Sequence, residues 1–119
     1  MKRKIKNLVW LLVGLVLMLG ACSRAEVDYW ENGNIKSELP YKNGKLNGLA
    51  RWYYENGEIN AIGNYKDGLE NGELIVYYEN GQIKAVGNYK DGKPNGELIF
   101  YYENGKIKHK GNGERAKDR

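Results

Sequence analysis

The chain has 119 residues, 41% of them hydrophobic and 29% charged, with a formal net charge of +4; that length holds one small domain at most. The whole excess of charge lies in the first 21 residues, where Lys2, Arg3, Lys4 and Lys6 have no acidic neighbour, and the remainder carries 15 basic against 15 acidic side chains. A neutral domain lacks the basic footprint that drives nucleic-acid binding, so no nucleic-acid partner is expected.

Residues 1–21 read as an export signal. A basic start is followed by an apolar run from Leu8 to Leu19 and then by Gly20, Ala21 and Cys22, the order of a charged region, a hydrophobic region and a small-residue cleavage site. The run is shorter than the roughly 20 residues a membrane-spanning helix needs; a retained span is the alternative reading. Leu19-Gly20-Ala21-Cys22 resembles the lipobox of bacterial lipoproteins, with Gly at the second position a departure from the usual choice. The resemblance implies cleavage before Cys22, acylation of its sulfur and amino group, and a stable membrane anchor, since several acyl chains hold where one is marginal. The other reading of Cys22 is a buried free thiol. It is the only cysteine, so no internal disulfide is possible. Ser23 resembles the residue found in lipoproteins sent to the outer membrane of two-membrane bacteria. The expected location is the cell envelope, with residues 22–28 as the lipidated Cys and a short tether.

From residue 29 the chain repeats itself. Tyr29-Trp30-Glu31-Asn32-Gly33 recurs at Tyr53, Tyr77 and Tyr101, each a step of 24 residues. Tyr41-Lys42-Asn43-Gly44 recurs at Tyr65 and Tyr89, and Asn47-Gly48 at Asn71 and Asn95. Residues 53–76 and 77–100 share 18 of 24 positions. The array therefore divides into 29–52, 53–76, 77–100 and a partial fourth unit, 101–112, followed by a charged tail over 113–119.

Each unit reads as a β-hairpin. Asn-Gly favours a two-residue type I′ turn, which needs positive φ at both positions. Set at Asn80-Gly81, that turn pairs Tyr78 with Ile83, Val76 with Ala85 and Leu74 with Gly87. Alternation then puts Leu74, Val76, Tyr78, Ile83, Ala85 and Tyr89 on one face and Ile75, Tyr77 and Val86 among polar residues on the other. Asp91 to Gly96 reads as a longer connecting loop. An even repeat keeps every equivalent residue on its own face, so Tyr54, Tyr78 and Tyr102 should form one row and Ile59, Ile83 and Ile107 another. Gly63 and Gly87 fall within strands, where a bulge or an overlying ring is the usual cause. Pro40 suggests a sheet edge, and Lys108, His109 and Lys110 give the last strand a charged guard. The expected fold is all-β: an elongated antiparallel β-meander of stacked β-hairpin repeats, with helix only in the N-terminal signal.

Tyr65-Lys66-Asp67-Gly68-Leu69-Glu70-Asn71-Gly72-Glu73 and its copy from Tyr89 to Glu97 resemble the core of a MORN repeat, and the Tyr-Tyr-Glu-Asn-Gly segments resemble the MORN variants of bacterial proteins. The resemblance implies a row of hairpins with an aromatic-lined groove serving as an adaptor or membrane-associating module, and some bacterial relatives of this kind are antitoxin-like.

Reactive groups are scarce: one His, two Ser (Ser23 and Ser37), no Thr and a Cys at the lipobox position. No nucleophile–base constellation can be assembled from them, and no enzyme activity or cofactor is expected. Glu55, Glu79 and Glu103 recur beside turns as structural acids, and Asp67-Gly68 and Asp91-Gly92 lack calcium-loop spacing, so no metal is expected. The candidate binding residues are aromatic: Trp30, Trp52, Tyr54, Tyr65, Tyr78, Tyr89 and Tyr102. Their rings either bury against neighbouring hairpins or present a ladder to a ligand. Three functions follow: a membrane-anchored, non-catalytic interaction or scaffolding module with a protein partner; an antitoxin or immunity protein that neutralises a toxin; or direct binding of lipid headgroups or envelope glycans through the Tyr rows.

Overall fold

The computed structural model describes residues 22–113; the signal expected over 1–21, and the charged tail beyond Gly113, lie outside them. The described residues form nine strands: β1 (Ser23–Tyr29), β2 (Ile35–Lys42), β3 (Lys45–Leu46), β4 (Gly48–Tyr53), β5 (Ile59–Lys66), β6 (Leu69–Tyr77), β7 (Ile83–Lys90), β8 (Lys93–Tyr101) and β9 (Ile107–Asn112). Every ladder is antiparallel. Strands follow one another in space in chain order, with the short β3 lying off the path against β2. This is the all-β meander that the 24-residue repeat implies.

The turns differ from expectation. The two-residue type I′ turns fall at Asn43-Gly44, Asp67-Gly68 and Asp91-Gly92, where φ is 51° and 78°, 50° and 86°, and 50° and 80°. Asn80-Gly81 belongs to a longer hairpin end. Gly81 N–H donates to the Tyr78 carbonyl (3.0 Å) and Tyr78 N–H to the Gln82 carbonyl (2.8 Å), while Asn80 stays at negative φ and Gly81 at +86°. That is a type I turn closed by a left-handed Gly. The side chain decides it: Asn80 Oδ1 accepts the Gln82 N–H at 2.9 Å, and Asn32, Asn56 and Asn104 do the same two residues on, a local bond that Asn offers a turn.

The changed turn shifts the pairing beside it. Val76 still opposes Ala85 and Leu74 opposes Gly87, but Tyr77 rather than Tyr78 faces Ile83, across a bulge. The loop expected over Asp91–Gly96 is shorter, because β8 begins at Lys93 and a register shift opposite Asn88 absorbs the extra residues. Residues 23–28, expected as a tether, are paired with β2 along their whole length. Pro40 consequently sits in the second strand, not at an edge; the β2–β4 ladder runs only over Ser37 and Glu38 and so places no demand on the N–H that Pro lacks.

The sheet is a single layer. Ala50 is the one buried hydrophobic residue among those described, and no large side chain is fully buried. One face carries the small residues Ser37, Ala50, Ala61, Gly63, Ala85 and Gly87 with Trp52, Tyr65, Leu74 and Leu98 over them. The other carries an apolar row, Ile62–Ile75–Val86–Ile99, paired strand to strand. Gly63 and Gly87 are needed for room: a Cβ at Gly63 would lie 2.9 Å from Leu74 Cδ1 and 3.2 Å from the Tyr65 ring, and one at Gly87 would lie 2.2 Å from Leu98 Cδ2. Both glycines also precede the bulges in their ladders.

Candidate interaction surface

The aromatic rows have two separate jobs. Trp30, Tyr54 and Tyr78 sit just beyond the ends of β1, β4 and β6, where they reach across to the next repeat. Trp30 Nε1 donates to the Tyr53 carbonyl at 3.2 Å, Tyr54 Oη to that of Tyr77 at 2.6 Å, and Tyr78 Oη to that of Tyr101 at 2.8 Å. Each bond spans 23 residues and closes one repeat onto its neighbour. Asn32 and Asn80 add side-chain donors to the carbonyls of Glu55 and Glu103. At the opposite ends of the strands, Gly68 and Gly92 N–H groups donate back to the carbonyls of Leu46 and Glu70. Backbone carbonyls at the hairpin ends thereby gain donors from the neighbouring repeat.

Lys36, Lys84 and Lys108 lie over the rings of Trp30, Tyr78 and Tyr102, at 4.9, 5.6 and 5.7 Å from their centroids, within cation–π range. These cations were not among the sequence candidates, although their 24- and 48-residue spacing marks them. The second repeat has Asn60 in that place.

Trp52 and Tyr65 form a different group. They approach edge to face on the small-residue side of the sheet, 6.0 Å between centroids at 65°, the geometry that suits ring quadrupoles. Tyr89 is the repeat equivalent of Tyr65 on the same face, and Phe100, which the sequence candidates omitted, is the equivalent of Trp52 and is exposed. Burial foremost, then the charge of Glu70 and the neighbouring Tyr89, raises the Tyr65 phenol above its ordinary value. On the opposite face the Tyr53 phenol is also raised, chiefly by its 2.5 Å hydrogen bond to Glu38, then by burial and the Glu38 charge, with Arg51 opposing. The sequence candidates thus divide: Trp30, Tyr54 and Tyr78 bind the chain to itself, Trp52, Tyr65 and Tyr89 line a face, and Tyr102 stands exposed at the array's end. Cys22 is exposed and outside any disulfide, immediately before β1.

A hairpin unit of this length, stitched to its neighbour by an aromatic and an Asn at fixed places, is matched four times by one family model, the MORN repeat variant, over residues 26–43, 46–67, 70–91 and 94–114. The chain belongs to the MORN repeat variant family. A comparison with curated proteins returns no match. The four matches follow the hairpins themselves, so the MORN array consists of four hairpins, β1–β2, β4–β5, β6–β7 and β8–β9; the apparent truncation of the last unit comes from starting the count at Tyr29. MORN-repeat domains are generally non-catalytic scaffold modules, and this β-structure is consistent with one. No helix among the described residues is long and apolar enough to cross a membrane.

Proposed function

We propose that this MORN array is a scaffolding lipoprotein of the cell envelope, anchored through acylated Cys22, which presents its small-residue face with Trp52, Tyr65 and Tyr89 to a protein partner. The observation that carries the reading is the uncovered sheet: rings and aliphatic side chains lie over a floor of Ala and Gly, with no second layer above them among the described residues. Rings and aliphatic side chains packed on that floor form the outer surface of the face, and Trp and Tyr are the residues around which interface energy concentrates. The polar tips of Trp30, Tyr54 and Tyr78 are already donated to carbonyls of the next repeat, which removes these three rings from headgroup or glycan recognition.

Anchoring through Cys22 would set the sheet directly against the membrane, since β1 begins at the next residue. Two measurements test the proposal. Cys22→Ser should release the chain from the membrane fraction; a chain that stays fully bound points to a retained span instead. A photo-crosslinker at position 65 or 89, in cells, should yield a discrete protein adduct that one at Ile62, on the other face, does not. Equal adducts from both faces, or adducts to lipid alone, would remove the assignment of the face.

A further inference from the structure

The stitching that joins repeats stops at the last one, and what it leaves open matches what the first one leaves open. Tyr102 occupies the place of Trp30, Tyr54 and Tyr78, yet its hydroxyl has no hydrogen bond among the described residues and the residue is 50% exposed. Asn104 occupies the place of Asn32 and Asn80, whose amides donate to the carbonyls of Glu55 and Glu103. The acceptors in that pattern are the carbonyls of Tyr53, Tyr77 and Tyr101 and of Glu55 and Glu103; their counterparts in the first repeat, Tyr29 and Glu31, lie on the outer strand or its turn and receive no such side-chain donor among the described residues. One end of the array therefore shows the donors of the joint and the other end its acceptors.

Apolar rows are cut at the same places. Ile107 is 51% exposed, while its equivalents Ile35, Ile59 and Ile83 are half-buried. Tyr29, 52% exposed, has half-buried equivalents in Tyr53, Tyr77 and Tyr101. Val27 and Phe100 complete the exposed set near the two ends. Repeat arrays ordinarily close such ends with polar capping units, and no additional unit covers either edge strand among the described residues.

We propose that the β9 edge of one chain docks on the β1 edge of a second copy, continuing the array head to tail. The register follows from the ladders inside the chain. Ala61 opposes Val76, and one repeat later Ala85 opposes Phe100; the next step puts His109 opposite Asp28 of the second copy and Lys110 opposite its Val27. Charge is compatible with the same pairing. β9 carries Lys108, His109 and Lys110, whereas β1 carries Glu26 and Asp28 with Arg24, which pairs with Glu26. Two β9 edges would set base beside base, whereas in the head-to-tail register His109 meets Asp28 on one side of the sheet and Lys110 meets Val27 on the other, with no like charges opposed. The charges that discourage indiscriminate edge pairing thus leave the head-to-tail arrangement open. Such a contact is heterologous and need not close, so it generates a row of chains.

The test is a disulfide ladder in cells. Asp28→Cys and His109→Cys are combined in the otherwise native chain, with the parent and each single variant as references. Residues 28 and 109 lie on the first and last strands of the sheet, too far apart for a bond within one chain. Head-to-tail docking predicts covalent trimers and longer species from the double variant alone after mild oxidation. Absence of species beyond the dimer, or equal ladders from a single variant, would overturn it. Replacing His109→Cys by Lys110→Cys, with Asp28→Cys kept, should largely abolish the ladder, because the two thiols would then lie on opposite faces of the sheet; an equal ladder would refute the pairing register.

Discussion

The inter-repeat hydroxyl bonds give a periodic prediction. Replacing Tyr78 with Phe removes one oxygen and nothing else of the ring, so only the 2.8 Å bond to the Tyr101 carbonyl is lost. A hydrogen bond of this type contributes about 1 kcal/mol net, and the deserted carbonyl is half-buried, which keeps the loss near that figure instead of raising it to a full desolvation penalty. Tyr54→Phe should cost the same through its bond to Tyr77. Tyr102→Phe, with no acceptor in the described chain, should stay within about 0.5 kcal/mol of the parent. For a domain of this size a change of 1 kcal/mol moves the melting temperature by roughly 4–8 °C. Thermal and urea unfolding of the three variants, at a dilution where the chain is monomeric, would read this out. Equal losses at all three positions, or silence at Tyr54 and Tyr78, would refute the stitching argument.

Three further outcomes follow. Asp91 holds φ at 50° in a type I′ turn, so Asp91→Val should destabilise by roughly 1–2 kcal/mol while Asp91→Gly stays near neutral in chemical unfolding. Gly87→Val would drive side-chain atoms into Leu98 and should cost about 1–3 kcal/mol; coupling it with Leu98→Ala should recover part of that loss, and independent, additive losses would count against the packing. The Tyr53 and Tyr65 phenols are both raised in the folded chain. Protonated phenol is therefore favoured by folding, and this stability is fully present below pH of about 10 and disappears as pH climbs through the folded-state values. Glu38→Gln should bring Tyr53 back toward its ordinary value in an NMR titration of the tyrosine rings and leave Tyr65 alone.

The repeat made most of this fold legible. A 24-residue period, even and rich in Tyr and Ile, specifies hairpins whose faces never invert, and the ladders obey that rule through Val76–Ala85 and Leu74–Gly87. What the sequence hid was turn chemistry. Asn-Gly and Asp-Gly both suit a type I′ turn, and the decision between them lies in side-chain bonds such as Asn80 to Gln82, which depend on the geometry of neighbouring residues. That error displaced Tyr78 by one position and concealed its role, because a ring expected on a strand face instead extends past the strand to the next repeat. β1 was hidden for a related reason: Ser23–Asp28 share little sequence with their counterparts Asn47–Trp52 and Asn71–Val76, since an outer strand has only one neighbour to satisfy.

A sheet without an interior distributes its stability unusually. Each hairpin is held by the two beside it and by almost nothing else, so opening costs least where one neighbour is missing. Amide protons of β1 and β9 should exchange with solvent first and those of β5 to β7 last, with fraying travelling inward one hairpin at a time. The same gradient makes the ends compliant and the middle stiff: a load borne by the central hairpins passes through four interlocked strands, while one applied at either edge meets a single ladder that can peel away.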